Sequence, residues 1–354
     1  MKKYNFSAGP AILPRSVIEE LSEAVLNYQG IGLSILEVSH RGKEFVEIME
    51  ETLELTRSLY AIPERYKILY LQGGATLQFA MVPQNLLASD RTAGFLHTGQ
   101  WADKAVKHAA YFGNVKILAS SKEKQYRHIP KGFDIPEDLQ YLHMTSNNTV
   151  WGTQLKTPPY TNVPKVIDMS SDIFSGPFDV DPFALIYASA QKNMGPAGAT
   201  LVIVDENYLG HTGREIPDIM NYQKHIDKRS VLNTAPVFSI YACNLTLKWI
   251  KEQGLERIKI NNETKANTLY THIDNSDLFF APVTTEDRSI MNIVFDIQDQ
   301  SRYEDFLTFA EKAGMIGLRG YRAAGGYRAS IYNAMDLEGI HALVEVMSEF
   351  ERKG

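Results

Sequence analysis

The chain has 354 residues, 44% of them hydrophobic and 22% charged, the balance of a soluble globular protein long enough for a large domain and a smaller one. A formal net charge of -6 argues against a nucleic-acid partner, and the single cysteine, Cys243, excludes an internal disulfide and fits a reducing compartment. No apolar stretch is long enough to span a membrane and no signal peptide follows Lys2 and Lys3, so a cytoplasmic protein is expected.

In chain order, helical periodicity covers Ser16–Leu26 and Lys43–Tyr60, followed by a strand at Lys67–Leu71 and a helix at Thr76–Leu87. A strand at Thr92–His97 precedes a helix at Trp101–Tyr111, and further strands are predicted at Asn114–Ala119, Tyr141–Thr145, Lys165–Met169, Ala184–Ser189 and Ala199–Val204. Alternation of this kind predicts an α/β fold built on a mainly parallel sheet. Ligands of such sheets bind beyond the carboxyl ends of the strands. From about residue 236 the pattern changes. A helix-rich stretch, Val237–Lys259, continues through Asn261–His272 to an alternating segment at Ile290–Ile297 and a last helix at Leu337–Arg352. The expected division is a large domain over residues 16–260 and a small one made of residues 1–15 and 261–354.

Several strand ends carry residues suited to chemistry. Lys192 lies in the small-residue loop Ala190-Gln191-Lys192-Asn193-Met194-Gly195 after a strand. A lysine in a confined site can lose its proton and attack an aldehyde, although a loop lysine is ordinarily a solvated charge. Asp168 closes the preceding strand, where an acid can pair with a pyridinium nitrogen or simply cap a turn. Gln72-Gly73-Gly74-Ala75-Thr76 opens a helix after a strand and offers backbone N–H groups to a phosphate. It lacks the Gly-Lys-Ser/Thr of a Walker loop. Trp101 can stack on a flat ring or pack over the sheet, and Thr149 can bond a ligand oxygen or cap a turn. Arg41, Arg322 and Arg328 are guanidinium forks suited to carboxylate or phosphate, the last two within a glycine-rich turn. No metal site is expected.

Phe6-Ser7-Ala8-Gly9-Pro10-Ala11, Ser39-His40-Arg41, Gly73-Gly74-Ala75-Thr76-Leu77-Gln78-Phe79, Asp168-Met169-Ser170-Ser171, Ala190-Gln191-Lys192-Asn193 and Arg328-Ala329-Ser330-Ile331-Tyr332-Asn333-Ala334 together resemble the phosphoserine aminotransferases, in the family's order from Tyr4 to the last helix. The resemblance implies the fold of pyridoxal-phosphate-dependent transferases, with a mainly parallel seven-stranded sheet and a smaller C-terminal α/β domain. It implies that Lys192 bonds to the cofactor aldehyde, Asp168 pairs with the ring nitrogen, Trp101 stacks on the ring and Thr149 bonds near the ring oxygen. Ala75, Thr76 and Gln191 would hold the cofactor phosphate, joined by Asn233 and Thr234 from the second subunit of a homodimer. Ser7, His40, Arg41, Arg322 and Arg328 would bind substrate, Arg328 at the α-carboxylate and Arg322 from the partner. The implied substrates are glutamate, phosphohydroxypyruvate, phosphoserine and 2-oxoglutarate, with a possible second role on 4-phosphohydroxythreonine in pyridoxine biosynthesis. Many relatives carry His where this chain has Tyr321.

Overall fold

Seven short runs, most of them apolar, form one sheet in the computed structural model, which describes residues 2–353. They are β1 (Tyr66–Leu71), β2 (Thr92–His97), β3 (Asn114–Ser120), β4 (Tyr141–Thr145), β5 (Lys165–Asp168), β6 (Phe183–Ser189) and β7 (Thr200–Asp205). Their spatial order is β1-β7-β6-β5-β4-β2-β3. Neighbours are parallel from β6 to β3, and β7 alone runs against both of its neighbours. Every residue of β4, β5, β6 and β7 is buried. That is why these strands read as continuous apolar runs: a parallel sheet is covered on both faces.

On one face, α1 (Arg15–Asn27) and α2 (Lys43–Leu59) supply Leu21, Phe45, Ile48 and Leu55 to a core shared with Ile186, Leu201 and Ile203. On the other, α3 (Gly74–Leu86) and α4 (Gln100–Ala109) pack Phe79, Val82 and Ala105 against Leu185, Tyr187 and Val202. Successive residues of one strand thus enter opposite cores, as the two-residue period of a pleated strand requires.

The helix-rich stretch after residue 236 is two helices rather than one segment ending near Lys259. α5 (Val237–Gln253) stops at Gly254, whose φ of 77° only glycine adopts without strain, and α6 (Leu255–Asp274) starts at the next residue. Apolar residues resume at Leu255 and Ile258 directly after the polar Lys251-Glu252-Gln253, so the two helices read as one stretch. Cys243 lies fully buried in α5.

A third core gathers Phe6, Leu269, Phe295, Phe306, Leu343 and Phe350. It is built from an antiparallel sheet of β8 (Phe279–Phe280), β9 (Asn292–Ile297) and β10 (Tyr327–Ser330), covered by α7 (Tyr303–Lys312) and α8 (Leu337–Arg352). The N-terminal pair Tyr4–Asn5 runs parallel to Met315–Ile316, which carries Phe6 into this C-terminal core. Helix α6 bridges the cores: Ile258 belongs to the first and Ala266 to the third.

Candidate active site

The carboxyl ends of β1, β2, β4, β5 and β6 open on one cleft, lined among others by Ala75, Thr76, Trp101, Thr149, Asp168, Gln191 and Lys192. About 430 Å³ of this cleft is free of protein atoms. The residues come from five separate strand ends, so sheet order rather than sequence proximity assembles the set.

Lys192 follows β6 in a tight turn: the N–H groups of Lys192, Met194 and Gly195 all donate to the Ala190 carbonyl, at 2.7, 3.1 and 3.0 Å. The half-buried side chain points back to the sheet, and its Nζ donates to Thr149 Oγ1 at 2.7 Å. Burial pushes the Lys192 ammonium down to about 8, against the pull of Asp168 and with the help of the Arg328 cation. The amine therefore sheds its proton far more readily than a surface lysine.

Asp168 ends β5 at 4% exposure and pairs in register with Tyr187 of β6. Its Oδ1 accepts from the Ser170 N–H at 2.9 Å, which leaves acceptor capacity on the carboxylate. Burial raises its pKa, while Ser170 and Lys192 favour the ionised form. A cation placed beside it in the cleft would draw it in the same direction.

The phosphate-side loop needs its glycines. Gly73 has φ 91°, and a Cβ there would lie 2.5 Å from Leu77 Cδ2. The turn brings the first N–H groups of α3 to the cleft mouth, where the Ala75 N–H donates to Ser189 Oγ at 2.6 Å. Thr76 is exposed beside it. Trp101, in the first turn of α4, is half-buried, and among the described residues its Nε1 has no partner. Thr145 Oγ1 at the end of β4 is likewise buried and unpartnered.

Arg328 of β10 comes from the C-terminal core and touches Thr149, a residue of the cleft lining. It is 9% exposed, and among the described residues its one side-chain hydrogen bond is a long one, Nη1 to the Thr149 carbonyl at 3.4 Å. Its Nε is unpartnered. Thr149 thus touches both Lys192 and Arg328, so a group bonded to the lysine would lie close to the arginine fork.

The remaining predicted residues do not line this cleft. His40 and Arg41 precede α2, Arg41 exposed and His40 half-buried, and Arg322 is exposed in the turn before β10. Its neighbour Tyr321 accepts a hydrogen bond from Gln100 Nε2 at 3.0 Å, which ties that turn to the start of the Trp101 helix. Asn233 and Thr234 are exposed next to the phosphate-side loop, where Asn233 Nδ2 donates to Gln72 Oε1 and Gln72 Nε2 donates to the Thr234 carbonyl, both at 2.9 Å. Ser7 is half-buried on the segment that enters the third core.

Residue patterns did not single out Thr145, Asn147, Ser170 or Ser189, all of which line the cleft. Asn147 joins the two halves of the molecule: Nδ2 donates to Ser171 Oγ at 2.8 Å and to Asn292 Oδ1 at 2.7 Å, and Oδ1 accepts from Ser289 Oγ at 2.6 Å. The signal for these residues is their place at or just after strand ends, with Ser170 also inside the motif Asp168-Met169-Ser170-Ser171.

The cleft fits pyridoxal phosphate. It offers an amine of lowered basicity, a buried carboxylate across from it, a helix N-terminus for a phosphate, an indole beside the opening and two buried polar atoms still lacking partners. The sequence profile described as Aminotransferase class-V matches residues 3–343. A phosphoserine aminotransferase from Flavobacterium psychrophilum is 51% identical over the full length of both chains. A solved phosphoserine aminotransferase from Bacillus circulans subsp. alkalophilus superposes with a TM-score of 0.96 at 42% identity, over 99% of each chain. A PLP-bound enzyme of the same name from Trichomonas vaginalis superposes at 0.94 with 33% identity, over 98% of this chain and 100% of that one. The chain belongs to the phosphoserine aminotransferase family of class-V, pyridoxal-phosphate-dependent aminotransferases.

Proposed function

We propose that the cleft transfers the amino group between L-glutamate and 3-phosphohydroxypyruvate, forming O-phospho-L-serine and 2-oxoglutarate in serine biosynthesis. The observation that carries this reading is Arg328: a buried guanidinium with no carboxylate partner among the described residues, sharing Thr149 with the low-pKa Lys192. An unpaired buried cation is costly unless a ligand completes it.

Bound pyridoxal phosphate supplies the electron sink that lets an amino acid lose its Cα proton. The chain's own groups do the rest. Lys192 Nζ would hold the cofactor at its aldehyde carbon and, as a free amine of lowered basicity, would move the Cα proton. Asp168 would hold a positive charge at the ring nitrogen, Trp101 would cover the ring and Thr149 would bond near the ring oxygen. The N–H groups of Ala75 and Thr76, with Gln191, take the phosphate. Arg328 orients the α-carboxylate by its planar fork. His40, Arg41 and Arg322, with Ser7, bind the distal phosphate or carboxylate, which both substrates possess, so one set of cations serves both half-reactions. Action on 4-phosphohydroxythreonine in pyridoxine biosynthesis uses the same two anionic ends.

The working unit in this reading is a cytoplasmic homodimer, each protomer with a large domain over residues 16–260 and a small one from residues 1–15 and 261–354. Asn233 and Thr234, exposed beside the phosphate-side loop, and Arg322, exposed in its turn, reach the partner's site. Mixed dimers test this arrangement. Lys192→Ala and an Asn233→Ala/Thr234→Ala variant, each weak alone, should regain activity when co-expressed, because one site of the mixed dimer then holds every group. No gain above the parents would place all groups in one chain.

The substrate class is tested by half-reactions of the holoenzyme. Glutamate and phosphoserine should each bleach the long-wavelength cofactor band, whereas alanine and serine, which lack a second anion, should do so far more slowly. Equal rates for all four would remove the distal-anion site from the reading.

A further inference from the structure

Beneath Asp168 lies a second carboxyl group that the reaction does not use. Asp172 is 6% exposed, four residues further along the turn that follows β5. One of its oxygens, Oδ1, meets Ser146 Oγ, and the other accepts from Gln154 Nε2 at 3.2 Å. Ser146 Oγ also lies 3.0 Å from the Asp168 carbonyl oxygen, which the Ser146 N–H approaches at 2.9 Å.

Counting protons decides the state of this chain of oxygens. Asp172 Oδ1, Ser146 Oγ and the Asp168 carbonyl form two consecutive oxygen–oxygen contacts at hydrogen-bond distance. Each contact needs one proton, a carbonyl can only accept, and the serine hydroxyl supplies one proton. With Asp172 ionised, one contact would join two lone pairs in a dry site, which is repulsive. With a proton on Asp172, the carboxyl donates to Ser146, Ser146 donates to the Asp168 carbonyl, and both contacts are satisfied. We propose that Asp172 is a neutral carboxylic acid donating to Ser146 Oγ, a positioning residue that fixes the backbone of Asp168 while leaving Asp168 the one negative charge beneath the cofactor site. The charged groups facing it agree: burial, with the neighbouring Asp168 carboxylate, pushes the Asp172 pKa up to about 7, against the hydrogen bonds of Ser146 and Gln154 and the attraction of Lys192. The benefit to chemistry rests on the reading of Asp168 as ring-nitrogen partner, but the protonation does not.

Asp172→Asn tests it, because the amide keeps one donor for Ser146 and one acceptor for Gln154 and carries no charge. In apoenzyme near pH 6, infrared spectra should show a buried carboxylic-acid C=O band in the wild type that is absent from the variant. No difference there would overturn the proposal. Should Asp172→Asn fold poorly, Ser146→Ala serves instead: the same band should persist and move to higher frequency as its hydrogen bond is lost, and a spectrum without the band in either protein would overturn the proposal. Thermal melts give a second readout. A raised carboxyl pKa means that the folded state keeps a proton the unfolded state has lost, so wild-type stability falls as pH rises from about 4 to about 7. The Tm advantage of Asp172→Asn should therefore widen over that range, and a constant difference would mean an ionised Asp172. In holoenzyme, the pH midpoint of the cofactor band should stay unchanged in the variant. Removing a true carboxylate this close would move it by roughly one unit or more. The apoenzyme arms stand whether or not the cofactor reading survives.

Discussion

Lys192→Ala is expected to lower kcat by at least the roughly 10²–10⁴-fold that a positioned proton carrier contributes, and by more because the same amine anchors the cofactor. The chain shows why no neighbour replaces it. The other amines are outside the cleft, Thr149 Oγ1 is a weak base, and Asp168 is committed to the sheet end beneath. The variant should still take up pyridoxal phosphate, since the α3 N-terminus and Trp101 are untouched, but borohydride should no longer fix it to the chain. A small primary amine added to the buffer should restore part of the rate. Wild-type activity in the variant would remove Lys192 from the mechanism. Stability gives an independent sign. The Lys192 pKa is lowered to about 8 in the fold, so a charged ammonium is held in the cleft at a cost below that pH. The cost fades as pH rises from about 8 towards the unfolded value near 10.4. Apoenzyme of Lys192→Met should therefore melt higher than wild type at pH 7, with the gap closing in that alkaline window.

Much of the scaffold was legible because burial and periodicity write themselves into the residues. Thr92–His97, Tyr141–Thr145 and Leu337–Arg352 have the bounds their apolar patterns indicate. Gly254 is easily read through: apolar residues resume at Leu255 and Ile258, and the helix break lies in a backbone angle. Lys192 and Asp168 stand out as charges at the ends of apolar strands. Their convergence depends on strand order, which sets β5 beside β6 although a connection of 14 residues (169–182) separates them. Ser146, Gln154 and Asp172 have the composition of any solvated turn. Only the fold shows that Ser146 and Asp172 are buried together with Gln154 half-buried beside them, and burial is what turns ordinary polar residues into a proton count. The resemblance to a known family named the residues at His40, Asn233 and Thr234, which no local pattern would select and which one chain leaves outside its own cleft.

Arg328→Met should cost about 2–5 kcal/mol of transition-state binding, roughly 30- to 5,000-fold in kcat/KM, the range for removing one partner of a desolvated charge pair. The loss should fall on glutamate and phosphohydroxypyruvate alike, because both present the α-carboxylate that the fork receives. Arg328→Lys should recover only part of it, since an ammonium cannot bind a carboxylate through two parallel N–H bonds. The same substitution should not cost stability. In the empty cleft Arg328 is buried with an unpartnered Nε and one long hydrogen bond to a carbonyl, and burial lowers its pKa. Methionine fills much of that space without a charge to desolvate, so apoenzyme of Arg328→Met should melt at or above the wild-type Tm. The contrast separates two roles for a buried arginine. A structural arginine would lose Tm and activity together; a receiving arginine loses activity while Tm holds or rises. Added substrate analogues with an α-carboxylate, such as 2-oxoglutarate, should raise the Tm of wild type but not of the variant, because only binding to the folded state shifts that equilibrium.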